Sequence, residues 1–207
     1  LYLQKALLKN ILYFFLALAS FEISAQTTAE EYLNSAESKF YLDDMKGAIV
    51  DFTKAIKIDS NYAEAYRKRG IAKETLKDFS GAIADYTKAI EIDPNYAFAY
   101  CDRGFAKDKL KDFSGAISDY SKALEIDPNY ARAFHDRGIT KGKLKDFSGA
   151  ISDYSRAIII YPNYATAYFN RGVSKFYLGD MTGACKDAKK AQELGDDASI
   201  LIKKACN

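Results

Sequence analysis

The sequence predicts an all-α protein in which about five helix–turn–helix repeats stack on one another and a short C-terminal helix closes the last one. The first observation is a fixed period, because four glycines follow one another at steps of 34 residues: Gly70, Gly104, Gly138 and Gly172. The second is that a whole segment, Lys-Asp-Phe-Ser-Gly-Ala-Ile, recurs at 77–83, 111–117 and 145–151. A period of this length is typical of chains that stack one supersecondary unit.

Each repeat predicts two helices, and residues 63–96 serve as the example. Tyr66 and Gly70 belong to a mostly helical pattern over 63–76, and apolar residues recur at helical spacing over 80–92. Asp78 or Ser80 can cap the second helix, which Pro94 cannot continue. Gly70 is small where the two helices must approach each other, so a large residue there is expected to overpack.

The residues at these positions resemble the signature of the tetratricopeptide repeat, a pair of antiparallel helices. The matches in 63–96 are Tyr66, Gly70, Phe79, Ala82, Tyr86, Ala89 and Pro94, and they recur in 97–130 and 131–164. Looser copies occupy 29–62 and 165–198. The resemblance implies a right-handed α-solenoid of about five repeats within 26–198, followed by a capping helix at 199–207.

The first 25 residues predict a signal peptide. Lys5 and Lys9 precede the apolar run 11–19, and the small residue Ala25 precedes Gln26. We therefore expect cleavage after Ala25 and export to a periplasm or to the outside, with no stable membrane insertion afterwards. An uncleaved membrane tether or an amphipathic start is the alternative.

Composition and motifs favour binding to protein over other functions. The chain has 30 basic and 28 acidic residues, and removing Lys5, Lys9 and Glu22 with residues 1–25 leaves 28 and 27. This balance gives no general attraction to nucleic acid or to anionic membranes. The chain has one histidine, His135, and shows no metal-ligand spacing or phosphate-binding loop. We therefore expect no catalytic residues, no metal and no cofactor, and no enzymatic activity.

Comparing the repeats with one another separates fixed positions from varied ones. The varied positions fall on first helices, where the resemblance implies a concave groove that commonly takes an extended peptide or a partner helix. We place the client on a stripe of aromatic and basic residues: Phe98, Phe105, Arg132, His135, Phe169 and Phe176. Neutral drift, or packing of these rings inside the solenoid, is the competing interpretation.

The expected function is a protein–protein interaction scaffold whose client the sequence does not identify. A structural, self-assembling solenoid without a separate client is the alternative, and an accessory subunit of an envelope enzyme is a further one. The family's clamp for the carboxylate ends of chaperone tails is rejected, because Asp102 and Asp136 stand where that clamp needs an amide and a base.

Two charged columns also repeat, where the family usually has apolar or aromatic residues. One contains Arg69, Arg103, Arg137 and Arg171, and the other contains Asp51, Asp85, Asp119, Asp153 and Asp187. Because the first repeat has Ser35 in the arginine column, we predict that each aspartate pairs with the arginine of the following repeat, as in Asp51 with Arg69. The lysines four residues beyond the arginine column can join from within their own repeats: Lys39, Lys73, Lys107, Lys141 and Lys175.

At the C-terminus we predict a short helix over 199–206, in which Ile200, Leu201 and Ile202 supply apolar area. Cys206 then approaches Cys185, and a disulfide forms if their α-carbons come within about 7 Å. Three cysteines leave at least one thiol over, so the sequence leaves this bond open.

Overall fold

The computed structural model describes residues 28–206, and within that range every regular element is a helix. The predicted all-α class is therefore confirmed, whereas the predicted signal peptide and its cleavage site lie outside the described residues. The chain divides into two compact units, Leu1–Ile92 and Asp93–Asn207. Each unit is described by itself.

The first unit contains two helix pairs: α1 (28–41) with α2 (Met45–Ile58), and α3 (Ala63–Thr75) with α4 (Phe79–Ile92). Phe52 is almost fully buried in its core, together with small residues such as Ala36, Ala48 and Ala72. Alanine at these positions lets the helix backbones pack closely, so the core is thin and continuous from one helix to the next.

The second unit contains three further pairs and one short final helix. The pairs are α5 (Ala97–Lys109) with α6 (Phe113–Ile126), α7 (Ala131–Lys143) with α8 (Phe147–Ile160), and α9 (Ala165–Tyr177) with α10 (Met181–Glu193). The final helix is α11 (Ser199–Ala205). Odd-numbered helices up to α9 are the first helices of their repeats, and even-numbered ones are the second helices.

An aspartate caps each second helix. In α6 the Asp112 carboxylate accepts a hydrogen bond from the Gly115 amide at 3.0 Å, and Asp78 does the same for Gly81 in α4 at 2.9 Å. Of the two caps that the sequence allowed in the second repeat, Asp78 is therefore the one used. The cap fits closely around the glycine, because a Cβ on Gly115 would lie 2.2 Å from an Asp112 oxygen and the carboxylate would have to move.

Three glycines of the 34-residue period, Gly70, Gly104 and Gly138, lie against tyrosine rings of the second helices, whereas Gly172 lies against Leu201 of α11. A Cβ on Gly70 would lie 2.5 Å from the Tyr86 ring, and a Cβ on Gly138 would lie 2.7 Å from the Tyr154 ring. Both tyrosines are buried. The contact joins the two helices of one repeat, so the glycine column and the tyrosine column are two halves of one packing feature.

The charged columns pair within a repeat, and the predicted cross-repeat pairing is wrong. Arg103 places Nη2 2.7 Å from Asp119 Oδ1 and Nε 2.9 Å from Oδ2, and Lys107 Nζ lies 2.8 Å from the same carboxylate. A planar guanidinium sixteen residues before the aspartate faces it across the helix hairpin and binds it bidentately. The same arrangement holds for Arg69–Asp85, Arg137–Asp153 and Arg171–Asp187, with Lys73, Lys141 and Lys175.

In the first repeat the aspartate is also bound within its own repeat, by a serine and lysines in place of the arginine and lysine. Ser35 Oγ donates to Asp51 at 2.8 Å, and Lys39 Nζ lies 2.5 Å from the same carboxylate oxygen. Lys54 supplies the third contact, at 3.0 Å from the other oxygen. The serine that suggested a cross-repeat pair is thus a short substitute for arginine that keeps the same partner.

The arginines do connect neighbouring repeats, but through hydroxyl groups. Arg137 Nη1 donates to Ser121 Oγ at 2.9 Å, and Arg171 Nη1 donates to Ser155 Oγ at 3.1 Å. Each hydroxyl belongs to the second helix of the preceding repeat and donates in turn to a backbone carbonyl one turn earlier. One guanidinium therefore links the two helices of its own repeat and also aligns them with the second helix of the preceding repeat.

The last helix closes the second unit with a disulfide. Leu201 and Ala205 of α11 are buried against alanines of α10, whereas Ile200 is 72% exposed and does not contribute to that core as predicted. Cys185 and Cys206 are bonded, with their α-carbons 5.0 Å apart. Cys101, the other cysteine, is buried and free.

Candidate functional site

The first helices of the second unit carry a polar network at the varied positions. Arg132 of α7 donates through Nη1 to Asp102 of α5 at 3.1 Å and through Nε to Asp136 at 3.3 Å. Asp102 is only 3% exposed, whereas the Arg132 side chain is 43% exposed. The guanidinium therefore bonds two carboxylates, while part of the Arg132 side chain is exposed to solvent.

His135 extends this network to the third first helix. Its Nδ1 lies 3.0 Å from Asp136 Oδ1, and its Nε2 lies 3.1 Å from Asn170 Nδ2 of α9. The Tyr164 ring lies 4.8 Å from the imidazole, centroid to centroid, and tilts by 31°. His135 is buried, so this member of the predicted stripe positions its neighbours and is not open to a client.

Part of the variation between repeats is therefore explained inside the protein. Arg132 and Asp102 are partners, as are His135 and Asn170, although each pair is separated by 30 or 35 residues. In the first unit, Lys68 similarly contacts Glu37 of the preceding repeat and Glu64 of its own. A varied residue on one first helix thus has its counterpart on the next.

Phe98 is the most accessible ring of the predicted stripe. Its side chain is 48% exposed, and its ring packs against Tyr130 with centroids 5.0 Å apart in an edge-to-face arrangement. Phe98 and Arg132 occupy the same position in consecutive repeats, near the start of their helices. An exposed aromatic ring and a half-exposed guanidinium therefore lie on neighbouring first helices.

Phe105 is half-buried beside a small cavity of about 80 Å³ that Asp108 and Lys143 also line. Lys109 Nζ lies 4.7 Å from the centre of the Phe105 ring. Asp108 is buried, accepts a hydrogen bond from Thr140 Oγ1 at 2.8 Å, and is paired with Lys143. Sequence reasoning does not single out Asp108, although its 32-residue separation from Thr140, close to one period, is the available signal.

Phe169 and Phe176 differ in environment from Phe98. Both are half-buried and pack against the cluster that α10 and α11 form around Ala188 and Leu201. The predicted stripe therefore has an accessible part, Phe98 and Arg132, and a part that is engaged in packing.

A further cavity lies in the first unit, between first helices α1 and α3. Its volume is about 180 Å³, less than a drug-sized ligand needs, and its lining is mainly apolar. Phe40, Phe52 and Ile71 form the apolar part, and Arg67 and Lys68 lie at the side.

The described part of the chain shows no arrangement of side chains typical of a catalytic site or a metal site. Burial raises the pKa of the Cys101 thiol to about 12, so this cysteine is protonated and unreactive at neutral pH. Across 28–206, no three His, Cys, Asp or Glu side chains group as metal ligands would. None of the helices in that range combines the length and apolar character that crossing a bilayer requires.

Residues 63–96 and 97–130 match the family model of the tetratricopeptide repeat. Curated proteins give no significant match. Among solved structures, MamA is 28% identical, with a TM-score of 0.72 over 81% of this chain and 91% of MamA. YrrB, described as a TPR protein with an unusual peptide-binding site, is 22% identical, with a TM-score of 0.70 over 91% of this chain and 96% of its own.

PilW, described as a widely conserved type IV pilus biogenesis factor, is 23% identical, with a TM-score of 0.77 over 86% of both chains. At this level of identity, the likeness of YrrB and PilW to this chain shows only a shared fold. The family match and the repeated helix–turn–helix arrangement agree on the same unit. The chain thus contains tetratricopeptide repeats, and its described residues have the fold of tetratricopeptide repeat proteins.

Proposed function

We propose that this protein is a protein-interaction scaffold, and that the first helices α5, α7 and α9 bind an extended peptide or a helix of a client protein. The proposal rests on two accessible side chains on neighbouring first helices. Phe98 is 48% exposed, and the Arg132 side chain is 43% exposed. Aromatic and arginine side chains are the usual anchors of protein interfaces.

The polar network supports this role because it fixes the anchors before a client arrives. Asp102 and Asp136 hold Arg132 from two helices, and Tyr130 supports the Phe98 ring. An anchor that is already ordered loses less side-chain entropy on binding, which favours affinity. Because the two aspartates offset the charge of Arg132, we do not assign an acidic client to this face.

The fold neighbours are consistent with binding to protein. YrrB is described as having a peptide-binding site, and PilW as a pilus biogenesis factor. His135, Phe105, Phe169 and Phe176 stay in the proposed site as its less accessible members, since each is buried or half-buried.

A photo-crosslinker at Phe98 tests the proposal in the native source. We expect one discrete crosslinked product from position 98 and none from Ser118, an exposed residue of second helix α6 that serves as the matched control. In a pull-down without crosslinker, Phe98→Ser should abolish capture of the client found in that product, without lowering the melting temperature. Equal products from both positions, or capture that survives Phe98→Ser, would contradict the proposal.

Self-assembly is distinguished by mass. A light-scattering mass that corresponds to one chain over a range of concentrations argues against a self-assembling solenoid. A mass that rises with concentration and falls again in Phe98→Ser would identify a second copy of this chain as the client.

We also propose that the protein is exported with residues 1–25 as its signal peptide. The layout of Lys5, Lys9, the apolar run and Ala25 motivates this proposal. The Cys185–Cys206 disulfide supports it, because such bonds persist mainly in oxidising compartments such as the periplasm or the exterior.

A further inference from the structure

The end of α8 departs, on an exposed surface, from the pattern that α4 and α6 share. In α6, Lys122 pairs with Glu125 at 2.9 Å, and Asp127 follows the helix. In α8 the same three positions hold Arg156, Ile159 and Tyr161, which we call the α8 patch. Ile159 is 67% exposed and Tyr161 is 53% exposed. Two acids have thus been replaced by two exposed apolar residues.

The replacement at position 161 exchanges one local contact for another, because the Tyr161 ring lies 5.7 Å from the Tyr164 ring, centroid to centroid, while the carboxylate acceptor of α4 and α6 is lost. Asp127 accepts a hydrogen bond from the Asn129 amide at 2.9 Å, and Asp93 does the same for Asn95. The backbone at Tyr161, with φ −126° and ψ 89°, nearly repeats that at Asp127, with φ −125° and ψ 94°. Tyr161 adopts the conformation of the aspartate without its carboxylate acceptor, so the local turn loses a stabilising contact.

The charge of this surface also changes sign relative to α6. There, one base stands beside two acids; in the α8 patch, one base stands beside none. Arg156 lies 5.8 Å from the centre of the Phe134 ring, and over residues 28–206 no carboxylate is paired with it. Its charge is therefore available to a partner of opposite sign.

The matching position of the next second helix keeps its acid. Glu193 of α10 corresponds to Ile159 and pairs with Lys190 at 3.1 Å, as Glu125 pairs with Lys122 in α6. Arg156 has therefore lost the acidic partner that Lys122 and Lys190 keep.

We infer that the α8 patch is a second docking surface, whose partner is an acidic protein segment that presents an apolar side chain. Ile159 and Tyr161 would contact the apolar side chain, while Arg156 would face a carboxylate. Tyrosine and arginine are enriched among the residues that dominate interface energies. This surface belongs to second helix α8 and the turn after it, so the inference does not depend on the first-helix site.

The chain itself supplies the decisive variant. Ile159→Glu with Tyr161→Asp restores the residues of α6, so Glu at 159 can pair with Arg156 and Asp at 161 can accept from the Asn163 amide. We expect an unchanged or higher melting temperature together with lost binding, which separates the surface from the fold. Glu125→Ala with Asp127→Ala at the same positions of α6 is the matched control.

The probe is a fluorescein-labelled helical peptide of glutamate and leucine, roughly 18 residues long, with a lysine-for-glutamate peptide as its counterpart. Fluorescence anisotropy with the whole chain should show binding of the acidic peptide only. Ile159→Glu with Tyr161→Asp should raise its Kd about tenfold or more, whereas the α6 control and Phe98→Ser should leave it nearly unchanged.

Several results would overturn the inference. They are equal binding by the doubly restored variant, preference for the lysine peptide, and absence of binding by the natural chain. Binding to phosphatidylglycerol vesicles through the α8 patch without peptide binding would assign it to a membrane surface instead. A mass that rises with concentration and drops in the variant would assign it to a second copy.

Discussion

Asp51 shows how one residue makes the stability of the protein depend on pH. Burial opposes its ionisation, but hydrogen bonds from Lys39, Ser35 and Lys54 outweigh burial and lower its pKa from 3.8 to about 2. A lowered folded-state pKa stabilises the fold at pH values above the unfolded value, and this contribution is lost as pH falls from about 4 to about 2.

We therefore expect Asp51→Asn to lower the free energy of unfolding at neutral pH and to flatten its dependence on pH over this window. Other carboxylates titrate nearby, so the measurement is the difference between the two proteins in urea unfolding at each pH. A difference that stays constant from pH 6 to about pH 2 would contradict the role given to Asp51.

Two glycines of α7 provide a matched test of close packing. A Cβ on Gly138 would lie 2.7 Å from the Tyr154 ring, whereas a Cβ on Gly142 would meet nothing within 4 Å. We expect Gly138→Ala to destabilise the protein by about 1–3 kcal/mol through overpacking. Gly142→Ala should be neutral or stabilise it by up to about 1 kcal/mol through helix propensity. Chemical unfolding of both variants checks the pair, and equal effects would refute the packing argument.

At the residue scale, sequence predicted the close approach at Gly70 but not the partner of each aspartate. A small residue at a fixed position of a helix hairpin indicates that the two helices approach each other closely there. The partner of a charge depends on which helix face the carboxylate occupies, and two arginines lie at comparable sequence distances from Asp119. Ser35 pointed to the wrong choice because a hydroxyl can take the same carboxylate that an arginine takes elsewhere.

At the scale of elements, α11 depends on a covalent link. The bond between Cys185 and Cys206 closes a loop 21 residues long, which in the chain-entropy account stabilises the folded state by about 3 kcal/mol. We expect Cys206→Ser to lower the melting temperature and to increase proteolysis near α11. The same change in dithiothreitol should have little further effect, because the bond is already absent.

Thiol counting gives an independent check of that bond. Under non-reducing denaturation one thiol, that of Cys101, should titrate. Three titratable thiols would rule the disulfide out. Sequence could indicate that the two cysteines approach, but a bond requires the position of α11 on α10, which packing of Leu201 and Ala205 determines.

At the scale of the whole molecule, the repeat number and the all-α class could be predicted from the period, the helical spacing within each repeat and the resemblance to the tetratricopeptide repeat, whereas the candidate site could not. The contacts that hold the two helices of each repeat together recur with the period, so the residues that make them can be recognised several times in the sequence. The network of Asp102, Arg132, His135 and Asn170 occurs once and joins residues about one period apart. Only the stacking of α5, α7 and α9 brings these unlike residues together.

Export concerns the complete chain and is tested on protein from its native source. Intact mass should correspond to a chain that begins at Gln26 and carries one disulfide. Cleavage removes the apolar run 11–19, so the mature protein should be monodisperse in light scattering. A mass that includes Leu1 would contradict the predicted processing.

The intra-repeat ion pair has a consequence for how such a chain can change length. Four buried aspartates are each neutralised by an arginine and a lysine of their own repeat: Asp85, Asp119, Asp153 and Asp187. A gene duplication or deletion of one whole period therefore carries each of these carboxylates together with both of its counter-charges. A pair shared between repeats, such as Asp102 with Arg132, depends instead on the neighbouring repeat, because a buried carboxylate that loses its partner costs several kcal/mol.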